Sequence, residues 1–197
     1  MESMRTEHQN LLLKIAHAAI FHCLEAGRRG GRGVFQSLEK KFPDIGKIPE
    51  LQEERASFVT LTIDGNLRGC IGMLEACRPL VEDVAENACA AAFADPRFEP
   101  LSEREFRQID IHISVLSPPE EMEFNSEADL LAQLRPGVDG LILQDGGRRG
   151  TFLPSVWEEL PDADLFLMHL KMKAGLPTTH WSDTLRVFRY TAEYFPA

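Results

Sequence analysis

The apolar positions near the start of the chain follow helical spacing. From Glu7 to about Gly27 they recur every three or four residues, which predicts an amphipathic helix that ends at the glycine. A second helix is predicted to begin at Pro79 and to end at Asp95, because the residue before a proline avoids the α region. The apolar faces of these two helices consist of Leu11, Leu12, Ile15, Ala18, Ala19 and Leu24, and of Leu80, Val84, Ala88 and Ala91.

Alternation of apolar and polar residues predicts strands elsewhere in the chain. Val59, Leu61 and Ile63 alternate with threonines, and the turn Asp64-Gly65-Asn66 then starts a return strand at Leu67. The same alternation predicts further strands over residues 109–115, 140–144 and 185–190. A partner strand of 140–144 follows the turn after it and ends at about residue 153.

The remaining segments carry signals for helix ends and for loops. Ser102 with Glu105 predicts a capping box, Ser126 predicts a helix to about Leu134, and Asp162 caps the second of two short helices between about 157 and 175. Residues 28–55 lack a clear period and are predicted to be mostly loop. This mixture favours an α+β fold, with a mixed or antiparallel sheet and flanking helices in a single domain over residues 1–197.

The acidic balance narrows the set of expected partners. The chain has 31 acidic and 21 basic residues and a net charge of -10, which repels a phosphate backbone, so no nucleic-acid partner is predicted. The chain has no apolar run near the roughly 20 residues of a membrane span. Residues 1–8 include acids and no apolar signal segment, so we expect a cytoplasmic protein with no membrane partner. The basic residues 28–33 lack the ending of a phosphate loop and are predicted to form a solvated loop.

The cysteines show no metal-binding or disulfide pattern. Cys23, Cys70, Cys77 and Cys89 include no C-x-x-C pair, and a reducing compartment disfavours disulfides, so free thiols are predicted. The cysteine spacing is too wide for common zinc sites, and no two histidines stand at i, i+4 with a glutamate between them. We therefore predict neither a metal nor another cofactor.

The stretch from Leu67 to Gly72 is the strongest candidate for a functional site. Gly69 and Gly72 flank Cys70 and remove Cβ bulk, so another molecule can approach the sulfur, while Arg68 can bind an anionic group. A nearby guanidinium and exposed N–H groups would favour the reactive thiolate. The alternative is that the glycines serve a turn while Cys70 packs as a small apolar residue, and the sequence leaves both interpretations open.

A cysteine enzyme also needs a base, and the candidates are His112 and His180. His112 alternates with core isoleucines and therefore faces away from the core, where a solvated or sheet-face histidine is the more common role. His180 lies after a helix end and is equally compatible with a loop residue. Arg97 follows Asp95-Pro96 and is expected to pair with a carboxylate, with ligand binding as the second interpretation.

Four short blocks, taken in order, resemble one known family. They are residues 67–72, Asp95-Pro96-Arg97-Phe98, residues 152–158, and Lys173 to Pro177 followed by Trp181. Over about residues 11–195 the chain is similar to the AMMECR domain family, called AmmeMemoRadiSam system protein A in bacteria. Thr151 stands where many members have leucine and Met172 where many have cysteine, which weakens any scheme that needs a second cysteine there.

The resemblance implies a two-lobed fold and two hypotheses for function. A smaller lobe would lie beside the main sheet, with the Arg-Gly-Cys turn exposed in a cleft. In the first hypothesis the cleft binds a small molecule or peptide around residues 68–72, with cysteine-dependent transfer or hydrolysis as one form of that activity. In the second, the chain is a noncatalytic module that docks on a Memo-type protein or a radical S-adenosylmethionine protein, the partners that the family implies.

Overall fold

A computed structural model of the chain describes residues 3–27 and 33–196. The helices are α1 Thr6–Glu25, α2 Val34–Leu38, α3 Pro49–Gln52, α4 Leu80–Phe93, α5 Glu103–Phe106, α6 Glu127–Gln133 and α7 Ala163–Lys173. Short 3-10 helices cover Glu39–Lys41, Ile45–Lys47 and Pro154–Glu158. The strands are β1 Ser57–Ile63, β2 Asn66–Gly72, β3 Asp110–Leu116, β4 Glu120–Glu121, β5 Gly140–Asp145, β6 Arg148–Phe152, β7 Arg186–Tyr190 and β8 Ala192–Pro196.

The chain divides into two compact units. The first runs to Leu116 and resumes at Glu193, and the second covers Ser117–Ala192. The sheet of the first unit has the strand order β2-β1-β3-β8, and β1 pairs antiparallel with both β2 and β3. Strand β2 therefore lies at an edge of this sheet.

One apolar core holds the first unit together. Alternation in β1 and β3 points Val59, Leu61, Ile111 and Ile113 to one face, where all four are buried. Helix α4 packs on that face, and α1 packs on α4. The alanines of α4 allow this close packing because they keep the helix surface flat.

The second unit has its own sheet and core. Its strand order is β4-β7-β5-β6, and β5 pairs antiparallel with β6 and β7. Helix α7 begins at Asp162, whose carboxylate accepts a hydrogen bond from the Leu165 N–H at 3.0 Å. The buried Phe166 ring stacks on Trp157 with centroids 3.8 Å apart, so the aromatic pair anchors the helices to the sheet.

The α+β fold expected from the sequence is confirmed, as are the capping box at Ser102 and Glu105 and the β1–β2 hairpin. The prediction of mostly loop before β1 is wrong in part, because short helices occupy 34–41, 45–47 and 49–52. Strand β8 was not predicted. Residues 28–32 lie outside the described part of the chain, and no described helix has the length and apolarity to cross a membrane.

The prediction of four free thiols is also wrong. Cys23 in α1 and Cys89 in α4 form a disulfide, and both residues are completely buried. Cys70 and Cys77 are free. The error arose because the spacing along the chain, 66 residues, carries no sign that the two helices bring these positions together.

Candidate functional site

The candidate site lies on the face of the first sheet that points away from the core. Cys70 on β2 pairs with Thr60 on β1, and Thr60 pairs in turn with His112 on β3. Because successive side chains of a strand alternate between faces, these three side chains form a row on the face opposite Val59 and Ile113. We call this surface, with Thr62 and Tyr194, the outer face.

Cys70 is half-buried in this row. The Thr60 hydroxyl donates a hydrogen bond to the Cys70 sulfur at 3.2 Å. Side chains of directly opposed residues are close enough for such contacts across an antiparallel pair. The thiol therefore has a polar neighbour in a residue that is only half-buried.

Two residues from the loop after α4 hold the backbone of Cys70. The Cys70 N–H donates to the Asp95 carboxylate at 2.8 Å, and the Arg97 guanidinium donates to the Cys70 carbonyl at 3.3 Å. Arg97 also binds Asp95 through two nitrogens, at 2.9 and 2.7 Å. At the edge of the sheet, this pair thus satisfies the two backbone groups that would otherwise face a neighbouring strand.

The electrostatics of Asp95 follow from these contacts. Its side chain is 1% exposed, whereas that of Arg97 is 52% exposed. The hydrogen bonds from Arg97, with those from the Cys70 and Arg97 N–H groups, hold the pKa of Asp95 well below its usual range despite its burial. The carboxylate is therefore charged at any physiological pH, and the arginine keeps part of its surface open to a ligand.

Arg68 has a different place from the one expected. It is the extra residue of an irregularity in the β1–β2 pairing, where Leu61 pairs with Gly69 and Thr62 with Leu67. Its guanidinium binds the Glu105 carboxylate at 2.7 and 3.2 Å, and the side chain is only 12% exposed. The hydrogen bonds from Arg68 lower the pKa of Glu105 to about 2. Arg68 therefore anchors β2 to α5, and its charge is already neutralised.

The aromatic ring of Phe98 joins the two arginines of this region. The guanidinium carbon of Arg68 lies 5.6 Å from the ring centroid, and that of Arg97 lies 5.5 Å from it. Both distances are within the range of cation–π attraction. In the block Asp95-Pro96-Arg97-Phe98, the two charged side chains thus contact Cys70 directly, and the Phe98 ring contacts the arginines.

The expectation that Gly69 and Gly72 leave room for a ligand is wrong. A Cβ on Gly69 would overlap the carbonyl oxygen of Ala91 in α4, and one on Gly72 would overlap the Phe58 ring and the Ser57 carbonyl. Neither glycine has a positive φ. The space beside each glycine is filled by the protein itself, so these residues are needed for packing.

His112 shares the outer face with Cys70 but is engaged elsewhere. One ring nitrogen forms a hydrogen bond with the Thr62 hydroxyl at 3.1 Å, and the other with the Tyr194 hydroxyl at 2.6 Å. Two strand spacings separate the backbones of Cys70 and His112, roughly 10 Å. The sulfur is thus bonded to a threonine and not to an imidazole, contrary to the arrangement expected of a cysteine with His112 as its base.

His180 belongs to the second unit. Its Nε2 forms a hydrogen bond with the Asp145 carboxylate at 2.5 Å, and the hydroxyls of Ser182 and Thr184 donate to the same carboxylate, each at 2.6 Å. The hydrogen bonds from Ser182, Thr184 and His180 lower the pKa of Asp145 to about 2. Because the serine donates to the aspartate and not to the histidine, the set differs from a Ser-His-Asp nucleophile arrangement.

Several residues of these sites were not predicted from the sequence. They are Thr60, Glu105 as the partner of Arg68, Tyr194, and Asp145 with its hydroxyl donors. The alternation in β1 places Thr60 on the face of His112, and this signal would have identified it. Among residues 3–27 and 33–196, no group of three His, Cys, Asp or Glu side chains has an arrangement that could hold a metal ion.

Comparison with known proteins gives a consistent result. A family model described as AMMECR1 matches residues 13–195. A protein of Methanothermobacter thermautotrophicus is 43% identical over 186 residues, covering 93% of this chain and 91% of the relative. A protein of Thermotoga maritima is 40% identical over 156 residues, covering 78% of this chain and 84% of the relative.

A solved structure also resembles the whole chain. It is the crystal structure of an uncharacterized protein from Pyrococcus horikoshii, with a TM-score of 0.79 and 33% sequence identity. The similarity covers 98% of this chain and 93% of that one.

Proposed function

The chain belongs to the AMMECR1 family, and we propose that its first unit binds a small molecule or a peptide segment on the outer face around Cys70. The observation that carries the proposal is the way Cys70 is held. Cys70 is half-buried as a residue, and Asp95 and Arg97 bind both of its backbone polar groups. A contact group fixed before binding loses little conformational entropy when a ligand arrives, which favours affinity.

Arg97 is the residue that would meet an anionic part of the ligand. Its hydrogen bonds use Nε and Nη2, and its side chain is half exposed. Arg68 is a weaker candidate, since it is largely buried against Glu105. Of the two arginines named from the sequence, Arg97 is therefore the one that we propose contacts the ligand.

Binding fits the contacts of Cys70 better than catalysis does. General acid–base catalysis needs a group within hydrogen-bond reach of the proton that it transfers. The group on the Cys70 sulfur is the Thr60 hydroxyl, and both ring nitrogens of His112 are occupied by Thr62 and Tyr194. The cysteine thus supplies a polarisable contact, and thiol-dependent transfer or hydrolysis remains the less supported form of the proposal.

Disulfide tethering tests this proposal with fragments in place of the natural ligand. The full chain is incubated with a set of small disulfide fragments under mild reducing conditions, and the adducts at Cys70 and Cys77 are measured by mass spectrometry. Cys77 is free and exposed, so it serves as the control for intrinsic thiol reactivity. We expect Cys70 to retain a few fragments at least roughly tenfold more than Cys77, because noncovalent contacts add to the disulfide. If Cys70 shows no preference beyond that of Cys77, the proposal fails.

The second candidate is docking on a Memo-type protein or a radical S-adenosylmethionine protein. It is favoured by the Thr60 contact, which leaves Cys70 without a bonded base. We expect purified partner protein to bind the wild type and the Cys70→Ser variant equally well, and to bind a Tyr194→Ala variant less well, because Tyr194 is 60% exposed on the outer face. Equal binding by all three proteins, or binding by none, would exclude docking through this face.

A further inference from the structure

A cavity in the second unit has no part in the site described above. Its volume is about 550 Å³, and it lies between the segment after β4 and the segment before β7. Its walls include Glu123, Phe124, Asn125, Trp181, Ser182 and Asp183. A cavity of this size is large enough for a small organic ligand.

The charged walls of the cavity are negative. Glu123 and Asp183 are both exposed, and in the described part of the chain neither carboxylate is in an ion pair. Glu121 and Asp139 of the same unit, in contrast, are paired with arginines. Glu123 and Asp183 thus line the cavity, and neither is neutralised by an ion pair in the described part of the chain.

The aromatic walls complement these carboxylates. The rings of Phe124 and Trp181 lie 5.5 Å apart with an interplanar angle of 59°, so they form two inclined surfaces. Aromatic faces attract cations, and tryptophan does so most strongly. Two π-surfaces beside two carboxylates match the chemistry of an organic cation.

The chain on both sides of Trp181 is held in place before any ligand binds. His180 and Ser182, its two neighbours along the chain, both bind the Asp145 carboxylate. The ammonium group of the buried Lys171 lies 5.8 Å from the Trp181 ring, but it is neutralised by Glu127 at 2.6 Å. The hydrogen bonds to Asp145 restrain the position of Trp181. Because Glu127 neutralises Lys171, the net charge at the cavity stays negative.

We propose that this cavity binds an organic cation, an alkylammonium or guanidinium group, against the aromatic pair of Trp181 and Phe124 and beside the carboxylates of Glu123 and Asp183. All of its lining residues belong to the second unit, and none is a residue of the outer face. A free amine and a basic side chain of a peptide share this chemistry, and the experiment distinguishes them.

The test is a titration of the full chain with choline, followed through the indole N–H resonances. Trp157 serves as an internal control because its indole is buried and donates to the Asp139 carbonyl at 2.7 Å. We expect a saturable shift of the Trp181 resonance alone at millimolar choline. The neutral isostere 3,3-dimethyl-1-butanol is expected to bind at least roughly fivefold more weakly, because it lacks the charge.

Variants then locate the site. Glu123→Gln and Asp183→Asn together are expected to weaken choline binding on the order of fivefold or more, since each removes one exposed charge interaction. The matched controls Glu158→Gln and Asp164→Asn alter exposed acids that do not line the cavity, and they are expected to leave the affinity unchanged.

A short lysine peptide, acetyl-Gly-Lys-Gly-amide, and n-butylammonium distinguish the two sources of the cation. Tighter binding of the peptide indicates a protein segment, and tighter binding of butylammonium indicates a free amine. The proposal is overturned if no cation shifts the Trp181 resonance, if the isostere binds as well as choline, or if the cavity variants bind choline like the controls.

Discussion

At the scale of single residues, the environment of Cys70 comes from other parts of the chain. The acceptor for its N–H, Asp95, lies 25 residues away in sequence, and the donor to its sulfur is Thr60 on the neighbouring strand. The short motif around Cys70 therefore does not specify the surroundings of this residue, which side chains from other elements determine.

Substitutions of Thr60 and His112 are expected to affect the reactivity of Cys70 differently. Thr60→Val keeps the shape of the side chain but removes the hydroxyl donor, so the Cys70 sulfur loses a hydrogen bond of roughly 1 kcal/mol. We expect the rate of iodoacetamide reaction at Cys70 to fall roughly threefold to fivefold at neutral pH. His112→Ala is expected to leave this rate unchanged, because the imidazole contacts Thr62 and Tyr194. A large loss in His112→Ala with none in Thr60→Val would restore His112 as the base.

The lowered pKa of Glu105 predicts how the stability of the fold changes in acid. Its pKa is lowered to about 2 in the folded protein by Arg68, from an ordinary value of 4.5. A lowered carboxyl pKa stabilises the fold above the ordinary value, and the contribution is lost as the pH falls toward the folded value. We expect urea unfolding to show a shallower loss of stability between about pH 4.5 and pH 2 in Glu105→Gln than in the wild type. Parallel pH profiles for the two proteins would contradict the role of this ion pair.

At the scale of elements, helix α4 positions the candidate site. Its Ala91 carbonyl contacts Gly69, and the loop after it carries Asp95 and Arg97. The same helix is joined to α1 by the disulfide. Displacement of α4 would therefore change the surroundings of Cys70 as well as the core.

The packing of α4 on β2 is tested at Gly69. In Gly69→Ala the new Cβ would overlap the Ala91 carbonyl, and backbone atoms cannot move aside without shifting the helix. We expect a loss of about 2–3 kcal/mol in the free energy of unfolding, measured with urea. Gly46→Ala is the matched control, since no heavy atom lies within 4 Å of its new Cβ and no positive φ is required there. An equally small effect of both substitutions would show that α4 and β2 are not in close packing contact at Gly69.

The disulfide between α1 and α4 is tested by reduction. A cross-link across 66 residues restricts the unfolded chain and contributes about 4 kcal/mol in the chain-entropy model. We expect dithiothreitol to lower the free energy of unfolding of the wild type but not that of the Cys23→Ala, Cys89→Ala double variant. If the wild type is insensitive to dithiothreitol and both thiols react after denaturation without it, the bond does not form.

At the scale of the whole molecule, local sequence patterns predicted the helices and strands better than they predicted the contacts between them. Alternation in β1 and β3, the turn at Asp64-Gly65 and the capping box at Ser102 depend on neighbouring residues, so the sequence shows them directly. Strand β8 is short and ends at Pro196, and it lacks these signals.

The contacts near Cys70 and near Trp181 join residues that are far apart in the chain. Arg68 binds a glutamate 37 residues away, and His180 binds an aspartate 35 residues away. No periodicity specifies such pairs, because they depend on how the elements pack. For this reason the sequence showed neither the glutamate partner of Arg68 nor the packing role of Gly69 and Gly72, and the role of Cys70 stays a prediction.

The most direct measurement is disulfide tethering at Cys70 compared between the wild type and Asp95→Ala, with Cys77 as the control in both proteins. Removing the carboxylate frees the Cys70 N–H and removes the ion pair that orients Arg97. We predict that the wild type selects particular fragments at Cys70 and that a folded Asp95→Ala protein loses this selectivity, with adducts at Cys77 unchanged. Identical fragment profiles at Cys70 in the two proteins, or no selectivity in the wild type, would contradict a binding site organised around this cysteine.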